Sequence, residues 1–154
     1  MAIYYADSSA LTKRHVVEVG TPWVQALTDS AAGHGFITSR MSVVEVISAL
    51  NRRQRERMIN TVQYMRISTD FMGLCATTYQ LVEVTEEVID RARHLLEQHA
   101  LRAYDAVQLA SALLTDQIVR AGGDPPLLFL AADDRLLTVA QLEGLVVDNP
   151  NWHP

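Results

Sequence analysis

Four acids, Asp7, Glu45, Asp105 and Asp133, are the residues of this chain whose types and surroundings could do chemistry. Asp7 closes the apolar run Ala2-Ile3-Tyr4-Tyr5-Ala6, and Asp133 follows the apolar run Leu127-Leu128-Phe129-Leu130-Ala131. Glu45 stands among Val43, Val44, Val46 and Ile47, and Asp105 precedes Ala106, Val107 and Leu109. Each acid also has an ordinary structural use. Asp7, Asp105 and Asp133 could cap the helices that follow them. Ser42-Val43-Val44-Glu45 matches a capping box, and Gln108 could be the box partner of Asp105. Taken singly, the cap is the simpler reading. Taken as a set it weakens, because acids in apolar company are costly unless paired. Two carboxylates ~4 Å apart repel by about 4 kcal/mol at an effective dielectric near 20. Four that converge require a cation or a proton. A donor set of oxygens alone, with no Cys or His, points to Mg²⁺ or Mn²⁺ rather than zinc. Such ions serve phosphate chemistry by charging a water and neutralising the transition state.

The elements that must position these acids follow from apolar patterning. The run before Asp7 reads as a strand buried on both faces. A short helix over 8–17 follows, carrying Lys13, Arg14 and His15. Gly20-Thr21-Pro22 starts another through Trp23 and Leu27. Phe36-Ile37-Thr38 is a second strand, and Ser39 to Ser42 starts a helix with Val43, Val46, Ile47 and Leu50 on one face. A helix over 61–74 precedes an alternating edge strand over 79–84. Thr85-Glu86-Glu87 opens the next helix with acids in its first turn. The longest helix falls over 101–118, and Gly122 to Pro126 is a turn. The run over 127–131 is another fully apolar strand. A helix through Leu136, Leu137 and Ala140 leads to a last strand at Val146-Val147.

Strands alternating with helices mean parallel βαβ units, hence a three-layer α/β/α sandwich on a mostly parallel five-stranded sheet. In the order 3-2-1-4-5 the sheet reverses between its first and fourth strands, so Asp7 and Asp133 flank one crevice at the C-terminal edge. One domain over 1–149 is expected, with a short tail at 150–154.

Composition bounds the function. The chain has 154 residues, 49% hydrophobic and 20% charged, which excludes wholesale disorder. No apolar run approaches the roughly 18 residues of a membrane helix, and no secretory signal is apparent. Cys75 is the single cysteine, so no internal disulfide forms and a reducing cytoplasm fits best. The net charge of −5 argues against a general polyanion binder unless a bound cation reverses the local field.

The chain resembles PIN-domain ribonucleases, and within them VapC-type toxins of toxin–antitoxin pairs. The likeness covers nearly the whole sequence. It rests on Tyr5-Ala6-Asp7-Ser8-Ser9-Ala10-Leu11, on Ser42-Val43-Val44-Glu45-Val46 before Ser48-Ala49-Leu50, on residues 101–110 around Tyr104-Asp105-Ala106, and on Ala132-Asp133-Asp134-Arg135-Leu136. The resemblance implies a metal-dependent endoribonuclease whose acidic pocket is Asp7, Glu45, Asp105 and Asp133, with Asp7 and Asp105 the most direct ligands of Mg²⁺ or Mn²⁺. It implies that Ser9 supports the first acid. It also implies tRNA or mRNA as target, 5′-phosphate and 3′-hydroxyl products, a VapB-like antitoxin and a homodimer. One position departs: Ala131 stands where such proteins often carry Ser or Thr, which removes a partner from Asp133.

Other residues weigh less. Lys13, Arg14 and Arg40 lie closest in sequence to the crevice mouth and are the expected guides for RNA. The run from Arg52 to Arg57 reads as a solvated helix end. Met58, Met65 and Met72, seven apart, read as a core stripe, with an adaptable partner groove as the alternative. The histidines have no ligand spacing, and Cys75 reads as buried filler. A PIN-like module that binds RNA or protein without cutting it is the rival reading. A phosphotransferase is disfavoured because no Gly-rich phosphate loop appears.

Overall fold

The computed structural model describes all 154 residues. Five strands form one parallel sheet in the order β3-β2-β1-β4-β5: β1 Ile3–Ala6, β2 Gly35–Ser39, β3 Tyr79–Val82, β4 Leu128–Leu130 and β5 Val146–Asp148. Seven α-helices surround it: α1 Ser8–His15, α2 Thr21–Leu27, α3 Met41–Arg55, α4 Thr61–Thr77, α5 Glu86–Gln98, α6 Ala103–Ala121 and α7 Asp134–Leu142.

Alternation along the strands builds two cores. Tyr5, Ile37 and Phe129 point into one, which they share with Val88, Ala92 and Leu95 of α5, Leu109 of α6 and Leu136 of α7. Tyr4, Phe36 and Leu130 point into the other, with Leu11 of α1, Val46 and Leu50 of α3 and Phe71 of α4. Both faces of the sheet are therefore covered, as parallel sheets require. The result is the expected three-layer α/β/α sandwich.

Several boundaries differ from expectation for visible reasons. β3 ends at Val82 because its only partner, β2, ends at the Ser39–Val82 pair. α3 starts at Met41, ahead of Ser42, and no side chain caps it. α6 starts at Ala103. Asp105 is thus its third residue and not its cap. The methionine stripe is not core: Met58, Met65 and Met72 are exposed. α4 instead buries Phe71, with Tyr64, Ile67 and Leu74 packed beside it, while Met65 and Met72 are exposed on it and Met58 precedes the helix.

The residues expected as a tail are packed. Pro150–Trp152 forms a 3-10 turn, and the Trp23 and His153 rings stack at 4.0 Å. Asn149 is buried and its Nδ2 donates to Asp134 Oδ1 at 2.7 Å. This strap ties α2 to the start of α7. Gly20 makes it possible: its φ is +83°, and a Cβ there would lie 2.1 Å from the Pro150 carbonyl oxygen. Gly20→Ala is expected to cost about 2 kcal/mol or more from left-handed strain plus the clash. The melting temperature should fall by several degrees, with a change in tryptophan fluorescence as the strap lifts. A variant that melts with the parent contradicts this account.

Candidate active site

Parallel βα units place the helix N-termini at the C-terminal edge of the sheet. α1, α3, α6 and α7 all begin there, so four partly positive helix ends converge. Asp7, Glu45, Asp105 and Asp133 ride on those four starts, and all four line a single cleft of about 590 Å³.

Asp7 is buried, and its backbone N–H extends the β1–β4 ladder to Leu130 O at 3.0 Å. Its Oδ1 accepts from Ser9 Oγ at 2.6 Å and from Ala10 N at 3.0 Å. The acid caps α1 with one oxygen and leaves Oδ2 on the cleft side without a partner in the chain. The cap and the site are the same residue. Ser9 has a second task, since its Oγ accepts from Ala132 N at 2.8 Å. That bond ties α1 to the loop ahead of α7. Asp133 also caps its helix, accepting from Arg135 N at 2.9 Å. At position 131 the buried alanine bonds through its backbone, Ala131 N to Asp148 O at 3.3 Å. The amides of α7 orient Asp133 where a hydroxyl at 131 is lacking.

Glu45 makes no capping box. Its Oε2 accepts from Ser8 Oγ at 2.8 Å and its Oε1 from Gln108 Nε2 at 2.8 Å. Gln108 is the hub of a buried relay. It donates also to Ser42 Oγ at 2.8 Å and accepts from Tyr5 OH at 3.0 Å. Thr38 Oγ1 donates to Ala6 O at 2.6 Å and pairs with Ser42 Oγ at 2.6 Å. Thr38 has one proton and spends it on Ala6 O, so Ser42 must donate to Thr38. The relay joins β1, β2, α3 and α6 beneath the acids. It was missed at the sequence level, although a lone glutamine within the apolar stretch 106–114 was the available signal.

The electrostatics follow from burial without a counter-ion. Desolvation pushes Asp7 up to about 7, against the bonds from Ser9 and Ala10, and the charges of Glu45 and Asp105 push the same way. Asp105 is also raised, by burial first and then by Asp133 and Glu45, with Arg102 opposing. No three acidic, histidine or cysteine side chains close around a common point in metal-ligand geometry. There is no preformed cage.

The basic residues are redistributed relative to expectation. Lys13 lines the cleft, but its Nζ is held at 3.0 Å by Glu18 and donates to Val19 O. Arg14 donates to Thr28 Oγ1 at 2.6 Å and lines a separate pocket with Asp70 and Thr77. Arg40 is exposed, paired with Glu83 at 2.6 Å, and is not part of the cleft wall. Instead Arg52, Arg53 and Arg102 line it. Arg52 and Arg53 come from the run read as a merely solvated end. The Nη2 of Arg53 shares Glu18 with Lys13, at 2.6 Å.

The PIN domain family model matches residues 4–142. Ribonuclease VapC45 of Mycobacterium tuberculosis (strain CDC 1551 / Oshkosh) is 35% identical over 144 residues, spanning 94% of this chain and 93% of the relative. Ribonuclease VapC49 of strain H37Rv matches to the same extent. The chain is a PIN domain of the VapC group. Solved PIN-fold structures agree at low identity. VapC20 of M. tuberculosis, described as a Sarcin-Ricin loop cleaving toxin, superposes with a TM-score of 0.62 at 17% identity, covering 94% of this chain and 97% of that one. VapBC2 from Rickettsia felis, bound to a DNA fragment from its promoter, superposes with 0.60 at 9%, covering 96% and 98%.

The raised Asp7 carboxyl has a consequence for this PIN domain's stability. A carboxyl whose folded pKa exceeds its unfolded value destabilises the fold as pH rises between the two. The window runs from about 3.8 to about 7. Asp7→Asn keeps an acceptor for Ser9 and Ala10 and removes the charge. Without divalent ions, Asp7→Asn should be more stable than the parent at pH 8, by on the order of 2–4 kcal/mol. The advantage should shrink toward pH 4 in denaturant titrations. A constant difference across that range contradicts the assignment.

Proposed function

We propose that this cleft hydrolyses RNA phosphodiesters with a bound Mg²⁺ or Mn²⁺, and that the chain is the toxin of a toxin–antitoxin pair. The observation that carries the reading is a buried carboxyl, Asp7, pushed up first by desolvation and further by Glu45 and Asp105, with no cation paired to it. The donor set is hard oxygen only, which fits such an ion. The absence of a closed cage fits it too, since Mg²⁺ keeps several waters and is held by one or two carboxylates with substrate phosphate. Asp7 and Asp105 are the proposed ligands, with Glu45 and Asp133 completing the acidic wall. The ion, when bound, supplies charge neutralisation and an activated water.

The protein's own groups do the rest. Ser9 fixes the free oxygen of Asp7 toward the cleft. Ser8 and Gln108 fix both oxygens of Glu45 by donating to them, so Glu45 stays an acceptor able to orient a water or take its proton. Arg52 and Arg102 on the walls offer contacts to backbone phosphate, which answers the net-charge objection. That role replaces the one expected of Lys13, Arg14 and Arg40.

The 35% identity to proteins named ribonucleases supports the same activity. Structural relatives include a toxin–antitoxin complex from Klebsiella pneumoniae, which supports a VapB-like antitoxin as partner. Exposed Val62, Met65 and Met72 along α4 supply apolar surface for that partner or for a homodimer. An RNA target, whether tRNA or mRNA, places the work in the cytoplasm.

Asp7→Asn and Asp105→Asn should each lower RNA cleavage by at least about 100-fold while both proteins stay folded, and chelation with EDTA should stop the parent. Undiminished cleavage by both variants, or by the chelated parent, contradicts the proposal and favours a module that binds without cutting.

A further inference from the structure

The cleft is polar, and Tyr104 is the one aromatic residue on its wall. Tyr104 is the second residue of α6, beside the acid Asp105, and is 58% exposed. No other ring of the protein packs on it. A large exposed ring in a polar cleft is unlike the scattered apolar residues of an ordinary surface. It adds nothing to either core.

Its surroundings say what it fits. Gln108 lies one helical turn further along α6, on the same face as Tyr104. Gln108 bonds Ser42 and Glu45 of α3. That face of α6 therefore looks across to the start of α3, where Met41 and the exposed Val44 also line the cleft. The two apolar walls are held at fixed separation by the buried relay. Arg102 joins Tyr104 on the α6 side. A flat ring with a negatively charged backbone matches this slot. A protein side would find too little apolar area, since the remaining wall is acidic, basic or small.

Resting on the ribonuclease reading, we infer that Tyr104, facing Met41 and Val44, is the stacking platform for an unpaired nucleobase next to the scissile phosphate. Stacking on an aromatic face tolerates any base but requires that the base be out of a duplex. The slot thus selects single-stranded or looped RNA. Arg102 takes the adjoining phosphate.

The test uses a short single-stranded RNA carrying 2-aminopurine, and the same strand annealed to its complement. Binding is measured in the cleavage-impaired Asp7→Asn background, and cleavage in the parent background. Tyr104→Ala should weaken single-strand binding roughly tenfold and abolish 2-aminopurine quenching. Tyr104→Phe and Tyr104→Trp should bind within about twofold of the starting protein. Duplex binding should be weak and the same in all of them. Since the ring is exposed, all three should melt with the parent. If the parent cuts the RNA and Tyr104→Ala binds and cuts it equally well, the platform is overturned alone, and a protein partner becomes the better occupant. If Tyr104→Phe is as weak as Tyr104→Ala, the hydroxyl and not the ring is at work, and the platform is again overturned. If the parent does not cut the RNA and the Asp7→Asn protein does not bind it, the ribonuclease reading falls with the platform.

Discussion

Burying carboxylates at the rim of the sheet, with their mutual repulsion added, is the constraint on which the rest of this structure depends. Four acids arrive from four separate helix starts, and what holds them is not contact with one another. The backbone amides at the starts of α1 and α7, and the hydroxyls of Ser8 and Ser9, hold three of them from behind. Positive helix ends lower the cost of gathering the charges. They do not remove it: burial, with Glu45 and Asp105 adding to it, still pushes Asp7 up to about 7 against the bonds from Ser9 and Ala10. The folded chain therefore carries an electrostatic debt that a hard cation is suited to discharge.

Such a site needs a rigid floor, and the floor is polar. Every proton in the Tyr5–Gln108–Ser42–Thr38 relay has one possible direction once Thr38 is committed to Ala6 O. A fully satisfied buried network specifies a single arrangement, whereas a partly satisfied one would cost stability. Its effect on the site is to present Glu45 with donors only. The relay also sets the spacing of α3 and α6, the two walls between which a substrate would lie.

Much of this was legible in the sequence because it follows from apolar patterning. The runs before Asp7 and Asp133 marked β1 and β4, two of the three inner strands, and alternation of elements gave the parallel sheet, in which the order 3-2-1-4-5 holds. The four acids could be suspected from their apolar neighbours. What could not be read was long-range pairing. Glu45 looked like the partner of Ser42 in a capping box, yet it bonds Ser8 and Gln108, 37 and 63 residues away. Lys13 looked available for RNA, but it pairs with Glu18, five residues on, which Arg53 also holds from α3. The methionines seven apart fit a core stripe as well as a surface one, and Phe71 and Ile67 decided which side of α4 was buried. The acids themselves posed a false choice, since Asp7 caps a helix with one oxygen and offers the other to the cleft.

The most direct test is anomalous diffraction from crystals grown with Mn²⁺ near neutral pH. The account predicts a manganese peak in the cleft, within bonding distance of Asp7 and Asp105 and with waters filling its other positions. A cleft without a peak at saturating Mn²⁺, or a peak bound only elsewhere on the surface, would contradict it.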